Sequence, residues 1–106
     1  MDKTKNKIID DLKKFKEKIS KDYEIEKFIF FGSRSVGKPN KDSDVDIMLV
    51  SRNFNGKSVL KRSPELYLKW DLEYSVDFLC YTPEEFDNLR NKITIVREAA
   101  RKGIEI

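Results

Sequence analysis

Two carboxylates stand one residue apart in the segment SDVDIMLV, residues 43–50. Side chains alternate between the faces of a β-strand, so Asp44 and Asp46 point to one face while Val45 and Ile47 point to the other. Two carboxylates about 7 Å apart along a strand can each turn one oxygen toward a shared cation. Hard oxygen ligands suit Mg²⁺ or Mn²⁺. A lone Asp-x-Asp is more often a solvated strand end, so a divalent-cation site is predicted only together with the residues that follow.

A third acid, Asp77, lies in the apolar segment SVDFLCY, residues 75–81, which is otherwise suited to a buried strand. A charge in such a segment needs a partner. Taken alone, Asp77 is explained equally well as a residue at a strand edge that forms an ion pair with a lysine. If its strand lies beside that of Asp46, at about 4.8 Å, and the two acids share a face, three carboxylates converge. Such a group is best neutralised by metal ions.

The dipeptide Gly32-Ser33 ends the β-branched and aromatic run IEKFIFF, residues 25–31. A strand that ends in Gly-Ser and enters a short helical turn presents backbone N–H groups, a hydroxyl and the positive end of a helix dipole. Phosphate oxygens fit these donors. A lone Gly-Ser is usually only a turn. Next to the acidic strand, however, it predicts a site for a metal-bound nucleoside triphosphate.

These residues need an alternation of helices and strands to position them. A helical spacing of apolar residues predicts a first helix over residues 3–20. Pro64, after Ser63, predicts a helix start, and Thr82 with Glu85 around Pro83 forms a capping box. The residues from Pro83 to Lys102 are predicted to form a helix that ends at Gly103, and the final GIEI is predicted to form a short edge strand. Strands are predicted over residues 25–31, 43–50 and 75–81.

The bulk composition excludes several classes of protein. A chain of 106 residues with 22 basic and 19 acidic side chains is expected to form a single domain over residues 1–106, with an ionic surface. A net charge of +3 argues against a dedicated nucleic-acid binder. The absence of a long apolar run or signal segment predicts a cytoplasmic protein without a membrane span. The chain has no His, and its lone Cys80 is expected to be buried and inert.

The order of these motifs resembles a known family. GSRSVGKPNKDSDVDIMLV, residues 32–50, is similar to the signature of minimal nucleotidyltransferases of the DNA polymerase β superfamily: Gly-Ser, a further Gly, then Ser-Asp-x-Asp and apolar residues. VDFL matches the third acidic position, and TPEEF and IVREAARKGIEI are similar to the ends of the small MNT proteins. The resemblance implies an α+β fold of α/β two-layer form, with a small mixed sheet of about three to four strands packed against helices.

Carried over by position, the resemblance implies that Asp44 and Asp46 bind two divalent ions, and that Asp77 binds one of them and helps to deprotonate the attacking hydroxyl. Gly32 and Ser33 would hold the β and γ phosphates of the nucleotide. Arg34 is either a further phosphate contact or part of a surface ion pair. The hydroxyl would attack the α-phosphorus in line while pyrophosphate leaves.

The resemblance also implies a partner. MNT proteins pair with helical HEPN-domain proteins as antitoxin and toxin, and the implied activity is transfer of AMP from ATP to a tyrosine of that partner. Two alternatives stay open from the sequence: an antitoxin that only masks its partner, and an enzyme whose acceptor is a small molecule or an RNA 3′ end. A homodimer is also left open.

Overall fold

A computed structural model describes residues 3–35 and 44–106 as alternating helices and strands. The sheet consists of β1 (Ile25–Phe31), β2 (Val45–Ser51), β3 (Val76–Tyr81) and the short β4 (Ile104–Glu105). The helices are α1 (Lys3–Ile19), α2 (Val59–Arg62), α3 (Pro64–Lys69), α4 (Pro83–Leu89) and α5 (Ile95–Lys102). Two short 3-10 turns, Ser33–Ser35 and Arg52–Phe54, follow β1 and β2 directly.

The four strands form one mixed sheet in the order β3-β2-β1-β4. β1 runs antiparallel to both β2 and β4. β2 and β3 are parallel, because α2 and α3 carry the chain back to the starting edge between them. β2 is therefore a central strand, and its apolar residues are buried on both faces. The predicted small mixed sheet and the α+β class are confirmed.

Helices cover both faces of this sheet, which gives the protein two apolar clusters. On one face α1 packs Ile8, Leu12, Phe15 and Ile19 against the sheet, and all four side chains are buried. On the other face, α4 and α5 contribute the smaller cluster, which contains Phe86, Val96, Ala99 and the sheet residues Ile29, Phe31, Met48 and Val50. The two-layer arrangement implied by the resemblance did not include this second apolar cluster. Its face is the one that carries Asp46, since Asp46 shares its strand face with Met48 and Val50.

Most predicted elements lie where the sequence placed them, including the first helix, the three longer strands, the short C-terminal strand and the capping box of Thr82 and Glu85. The prediction of one helix from Pro83 to Lys102 is wrong. The chain leaves helical geometry after Leu89 and begins α5 at Ile95. Thr94 causes the break, because its hydroxyl donates to the carbonyl of Leu89 and accepts from the N–H of Arg97.

Arg62 ties three elements together at the edge of the sheet. Its guanidinium is buried and donates to the carbonyl oxygens of Lys57 and Cys80 at 3.0 and 3.2 Å. It also forms a bidentate ion pair with Glu85, at 2.6 and 3.3 Å. The Glu85 carboxylate accepts from the backbone N–H of Thr82 as well. The sequence suggested no role for Arg62, and the structure gives it a structural one.

Within residues 3–35 and 44–106, no helix combines the length and the apolarity that crossing a bilayer requires.

Glu85→Gln tests how much the ion pair between Arg62 and Glu85 contributes to stability. The hydrogen bond from Arg62 lowers the pKa of Glu85, so the pair stabilises the fold above the ordinary glutamate pKa and is lost as the pH falls through the folded-state value. We expect Glu85→Gln to cost about 1–2 kcal/mol at neutral pH, a figure reduced by solvent at the exposed side of the carboxylate. The difference from wild type should vanish at a pH well below this lowered folded-state pKa.

Urea unfolding at both pH values measures this difference. Glu84→Gln is the matched control, because Glu84 is exposed on the same turn of α4. An equal cost for both variants, or a cost that persists in acid, would contradict the assigned role of the pair.

Candidate active site

Asp46 and Asp77 lie side by side at one end of the sheet. The parallel register of β2 and β3 pairs these two residues directly. Paired residues on neighbouring strands point to the same face, with their backbones about 4.8 Å apart. Asp46 is half-buried, whereas Asp77 is exposed at the outer strand. The predicted pairing of the two acidic strands is thus confirmed.

Asp44 precedes β2 instead of lying inside the strand as predicted. The backbone N–H of the next residue, Val45, nevertheless donates to the carbonyl of Ser75 at 2.8 Å, so the pairing with the third strand extends to this end. The carboxylate of Asp44 lies close enough to interact with both Asp46 and Asp77. The structure therefore brings the three predicted acids to one end of the sheet.

The electrostatics of this group are unfavourable for its charges. Burial, then the carboxylates of Asp77 and Asp44, raise the pKa of Asp46. Partial desolvation and the neighbouring Asp44 raise the pKa of Asp77. None of the ion pairs formed between residues of the described ranges involves any of the three acids. A set of hard oxygen donors that carry uncompensated charge fits a divalent cation such as Mg²⁺ or Mn²⁺.

The three carboxylates do not form a closed cage. In the part of the chain that the structure describes, no group of three or more carboxylate or thiol side chains is gathered tightly enough to hold a metal ion. The roles of Asp44, Asp46 and Asp77 as metal ligands stay a prediction from the sequence.

Gly32 stands against the Asp46 carboxylate. Its φ is +83°, a left-handed conformation that favours glycine. A Cβ built on Gly32 would collide with Oδ2 of Asp46 and lie 3.1 Å from its Cγ. The antiparallel register explains this contact, since Phe31, just before Gly32, pairs with Asp46. The glycine is thus required both by the turn and by the acid beside it.

The turn after Gly32 is a 3-10 helix, as predicted for the start of this segment. Its Gly32 carbonyl accepts from the backbone N–H of Ser35 at 3.1 Å and from the Ser35 hydroxyl at 2.7 Å. The Ser33 side chain, predicted to hold phosphate, lies outside what the structure describes. The phosphate-binding role of Gly32 and Ser33 therefore stays a prediction.

Arg34, for which the sequence left two roles open, is buried. Its guanidinium lies over the ring of Tyr74, 5.6 Å from the ring centroid. The Tyr74 hydroxyl donates to Asp11 of α1 at 3.0 Å, so the turn is connected through Tyr74 to the first helix. This position supports a packing role for Arg34, and a contact with phosphate stays a prediction.

The sequence missed the part of the site that α5 supplies. A cavity of about 370 Å³ lies between the end of the sheet and this helix. The helix lines it with Ile95, Glu98, Ala99 and Lys102, which follow the i, i+3, i+4, i+7 spacing of one helical face. That spacing can be read from the sequence. The prediction of one long helix over residues 83–102, however, did not show which face of α5 would line the cavity.

Other residues near the motifs are outside the site or outside the described ranges. Lys38 and Lys41 fall on residues that the structure does not describe, and Lys57 is exposed. Cys80 is buried, and burial raises the pKa of its thiol to about 12, so it stays a thiol at neutral pH. The expectation of an inert cysteine is confirmed.

Comparison with known proteins agrees with this geometry. A family model described as a nucleotidyltransferase domain matches residues 12–101. Over 77 residues the chain is 32% identical to the protein named "Probable protein adenylyltransferase MntA" from Haemophilus influenzae, with 71% of this chain and 68% of that protein covered. A crystal structure of a candidate nucleotidyltransferase from Sulfolobus solfataricus matches with a TM-score of 0.68 at 19% identity, covering 95% of this chain and 80% of the other. This structural likeness supports the fold alone.

Gly32→Ala tests the contact between the turn and the acid. Gly56 is a matched control, because its φ is +79° and no atom lies within 4 Å of a Cβ built there. We expect Gly56→Ala to cost about 1–2 kcal/mol from backbone strain, and Gly32→Ala to cost about 1–3 kcal/mol more from the collision with Asp46. Urea unfolding measures both. A second change, Asp46→Ala, should recover most of the extra cost; equal costs for the two glycine variants would exclude the collision.

Asp46→Asn tests the repulsion among the acids. Because the charged form of Asp46 is disfavoured in the folded chain, we expect its neutral isostere to be more stable by about 1 kcal/mol at pH 7 in EDTA. Denaturant unfolding of the two proteins measures the difference. The control is Asp87→Asn, an exposed acid on α4, which should change stability little. A destabilised Asp46→Asn protein would show that the carboxylate makes a favourable contact instead.

Proposed function

Because this chain belongs to the nucleotidyltransferase domain family, we propose that it transfers AMP from ATP to a tyrosine hydroxyl of a helical HEPN-domain partner and thereby acts as an antitoxin. The observation that carries the proposal is the register that places Asp46 beside Asp77, with Gly32 against Asp46. Two acids and a phosphate-type turn at one end of a sheet are the parts that nucleotidyl transfer needs.

In the proposed reaction the acceptor hydroxyl lies on the side of Asp77. The carboxylate of Asp77 takes the hydroxyl proton as the oxygen forms its bond to the α-phosphorus. The bond from that phosphorus to the bridging oxygen breaks on the opposite side, and pyrophosphate leaves with the electron pair toward the turn of Gly32 and Ser33. The fixed strands hold the groups in line, which supplies much of the rate enhancement.

The proposal includes metal dependence. Asp44, Asp46 and Asp77 would hold the ions, since their oxygen donors and uncompensated charge fit Mg²⁺ or Mn²⁺. When bound, a divalent ion neutralises charge on the triphosphate and eases deprotonation of the hydroxyl.

A protein acceptor is supported by two observations. The relative from Haemophilus influenzae carries a name that gives it a protein substrate. In addition, the apolar side chains of Ile93 and Ile95 are exposed, with exposed fractions of 94% and 55%, and Ile95 borders the site. Exposed apolar groups at a site rim suit contact with a second protein. An AMP group on the partner would add bulk and negative charge, which can block a neighbouring active site.

Incubation with labelled ATP, Mg²⁺ and the proposed HEPN-domain partner tests the activity. We expect the wild type to label the partner, and Asp44→Asn, Asp46→Asn and Asp77→Asn each to lower the rate at least about 100-fold. Asp87→Asn is the control acid and should label normally. Removal of Mg²⁺ with EDTA should stop the transfer. No label from the wild type, or equal labelling by Asp44→Asn, would contradict the proposal.

A growth assay distinguishes an antitoxin that modifies its partner from one that only masks it. Cells that express the partner should be rescued by the wild type and not by the folded double variant Asp44→Asn, Asp46→Asn. Rescue by that variant would favour masking. Label transferred to a small molecule or an RNA 3′ end instead of the partner would change the acceptor while leaving the enzyme class in place.

A further inference from the structure

The cavity beside α5 is an extension of the acidic site. Its volume is about 370 Å³, within the range of roughly 300–1,000 Å³ that is usual for small-molecule pockets. Gly32 and Asp46 form one wall, and Gly103 lies at the end of α5. A Cβ on Gly103 would collide with Ile29 and with the carbonyl of Ala99, so helix and sheet are in direct contact there. The cavity is therefore bounded at Gly103 by contact between helix and sheet, and Asp46 connects it to the acids.

The cavity adjoins the reacting groups at Asp46 and at the turn that contains Gly32 and Ser35, so its walls decide which part of a nucleotide could enter it. Asp77, Asp46 and Gly32 form a row across the sheet, from β3 over β2 to the end of β1. In an in-line reaction along this row, the acceptor oxygen and pyrophosphate lie on opposite sides of the α-phosphorus. The nucleoside leaves that phosphorus at a wide angle to the row. The cavity touches Asp46 and Gly32, and Asp77 is not among the described residues that line it.

The walls of the cavity favour a flat organic ring over phosphate. Its lining surface is mainly apolar and includes Phe31, Ile95 and Ala99. Polar groups stand at the helix face toward solvent, where Lys102 and Glu98 form an ion pair at 3.2 Å. A charged triphosphate would lose its hydration against the apolar walls. A purine base would instead bury its ring and keep its polar edge near the charged pair.

We propose that this cavity binds the base of the donor nucleotide and that the small side chain of Ala99 leaves the space that the base occupies. The inference rests on the proposed nucleotidyl transfer and extends it to a nucleoside subsite formed by α5. The helix residues that form the subsite came into position only because the chain breaks after Leu89 and restarts at Ile95.

Methyl NMR tests the subsite directly, without catalysis. The chain has two alanines, Ala99 and Ala100, so an alanine-labelled sample carries its own control. Ala99 is buried and lines the cavity, whereas Ala100 is exposed and does not line it. We expect millimolar adenosine to shift the Ala99 methyl signal and leave that of Ala100 nearly unchanged. A non-hydrolysable ATP analogue with Mg²⁺ should do the same at lower concentration, and tripolyphosphate should not.

Three NMR results would overturn the subsite. No shift of Ala99 with adenosine would exclude the nucleoside. Equal shifts of both methyl groups would indicate non-specific contact. A shift of Ala99 with tripolyphosphate and not with adenosine would assign the cavity to the phosphate end.

Substitution supplies the kinetic test. Ala99→Leu would place a larger side chain at the cavity wall and narrow the cavity, and we expect the KM for ATP to rise about tenfold or more with a smaller change in kcat, because ground-state and transition-state binding are lost together. Ala100→Leu makes the same change one residue away and should leave KM unaltered. If Ala99→Leu does not fold, Ile95→Asp replaces it, since Ile95 is largely exposed; adenosine should then shift Ala99 less.

The two proposals fail separately. Label transfer by the wild type combined with an unchanged KM for ATP in folded Ala99→Leu would overturn the subsite and leave the nucleotidyl transfer in place. A selective shift of Ala99 by adenosine, in a wild type that labels no acceptor, would support the subsite and overturn the proposed transfer.

Discussion

The parallel pairing of β2 with β3 is the constraint on which the site depends. Its register sets Asp46 directly beside Asp77, and a shift by one residue would turn one of the two acids to the opposite face. β2 carries apolar side chains into both clusters, so the register is held by packing on both sides of the sheet. A strand specified this strongly can carry an unfavourable charge at its end without slipping.

The charges at that end are an energetic cost that the rest of the molecule offsets. Burial and repulsion disfavour the ionised form of Asp46, and the same carboxylate excludes any side chain at Gly32. The stabilising interactions lie elsewhere, in the two apolar clusters and in the ion pair between the buried Arg62 and the partly exposed Glu85. This division is expected of functional sites, where groups are retained for their chemistry at the expense of stability.

The second face of the sheet shows how packing adds to a motif. α4 and α5 cover it, and the break between them lets α5 turn its own face toward the acids. Val96 and Ala99 anchor this helix while Ile95 and Lys102 border the cavity. One helix therefore contributes both to the core and to the surroundings of the acids, which explains why its placement matters for any ligand bound there.

Alternation, capping and isolated charges are local patterns, so residue types and spacing were enough to predict the strands, the capping box and the three acids. Asp46 and Asp77 were predicted to converge on the condition that their strands lie side by side, and the parallel register meets that condition. The folded chain was needed to show that Gly32 contacts Asp46, that Arg34 packs on Tyr74, and that α5 begins anew at Ile95. The first two depend on contacts between different segments of the chain, and the third on how α5 packs against the sheet. Helical periodicity continues through residues 83–102, but packing against the sheet and the hydrogen bonds of Thr94 favour two helices over one.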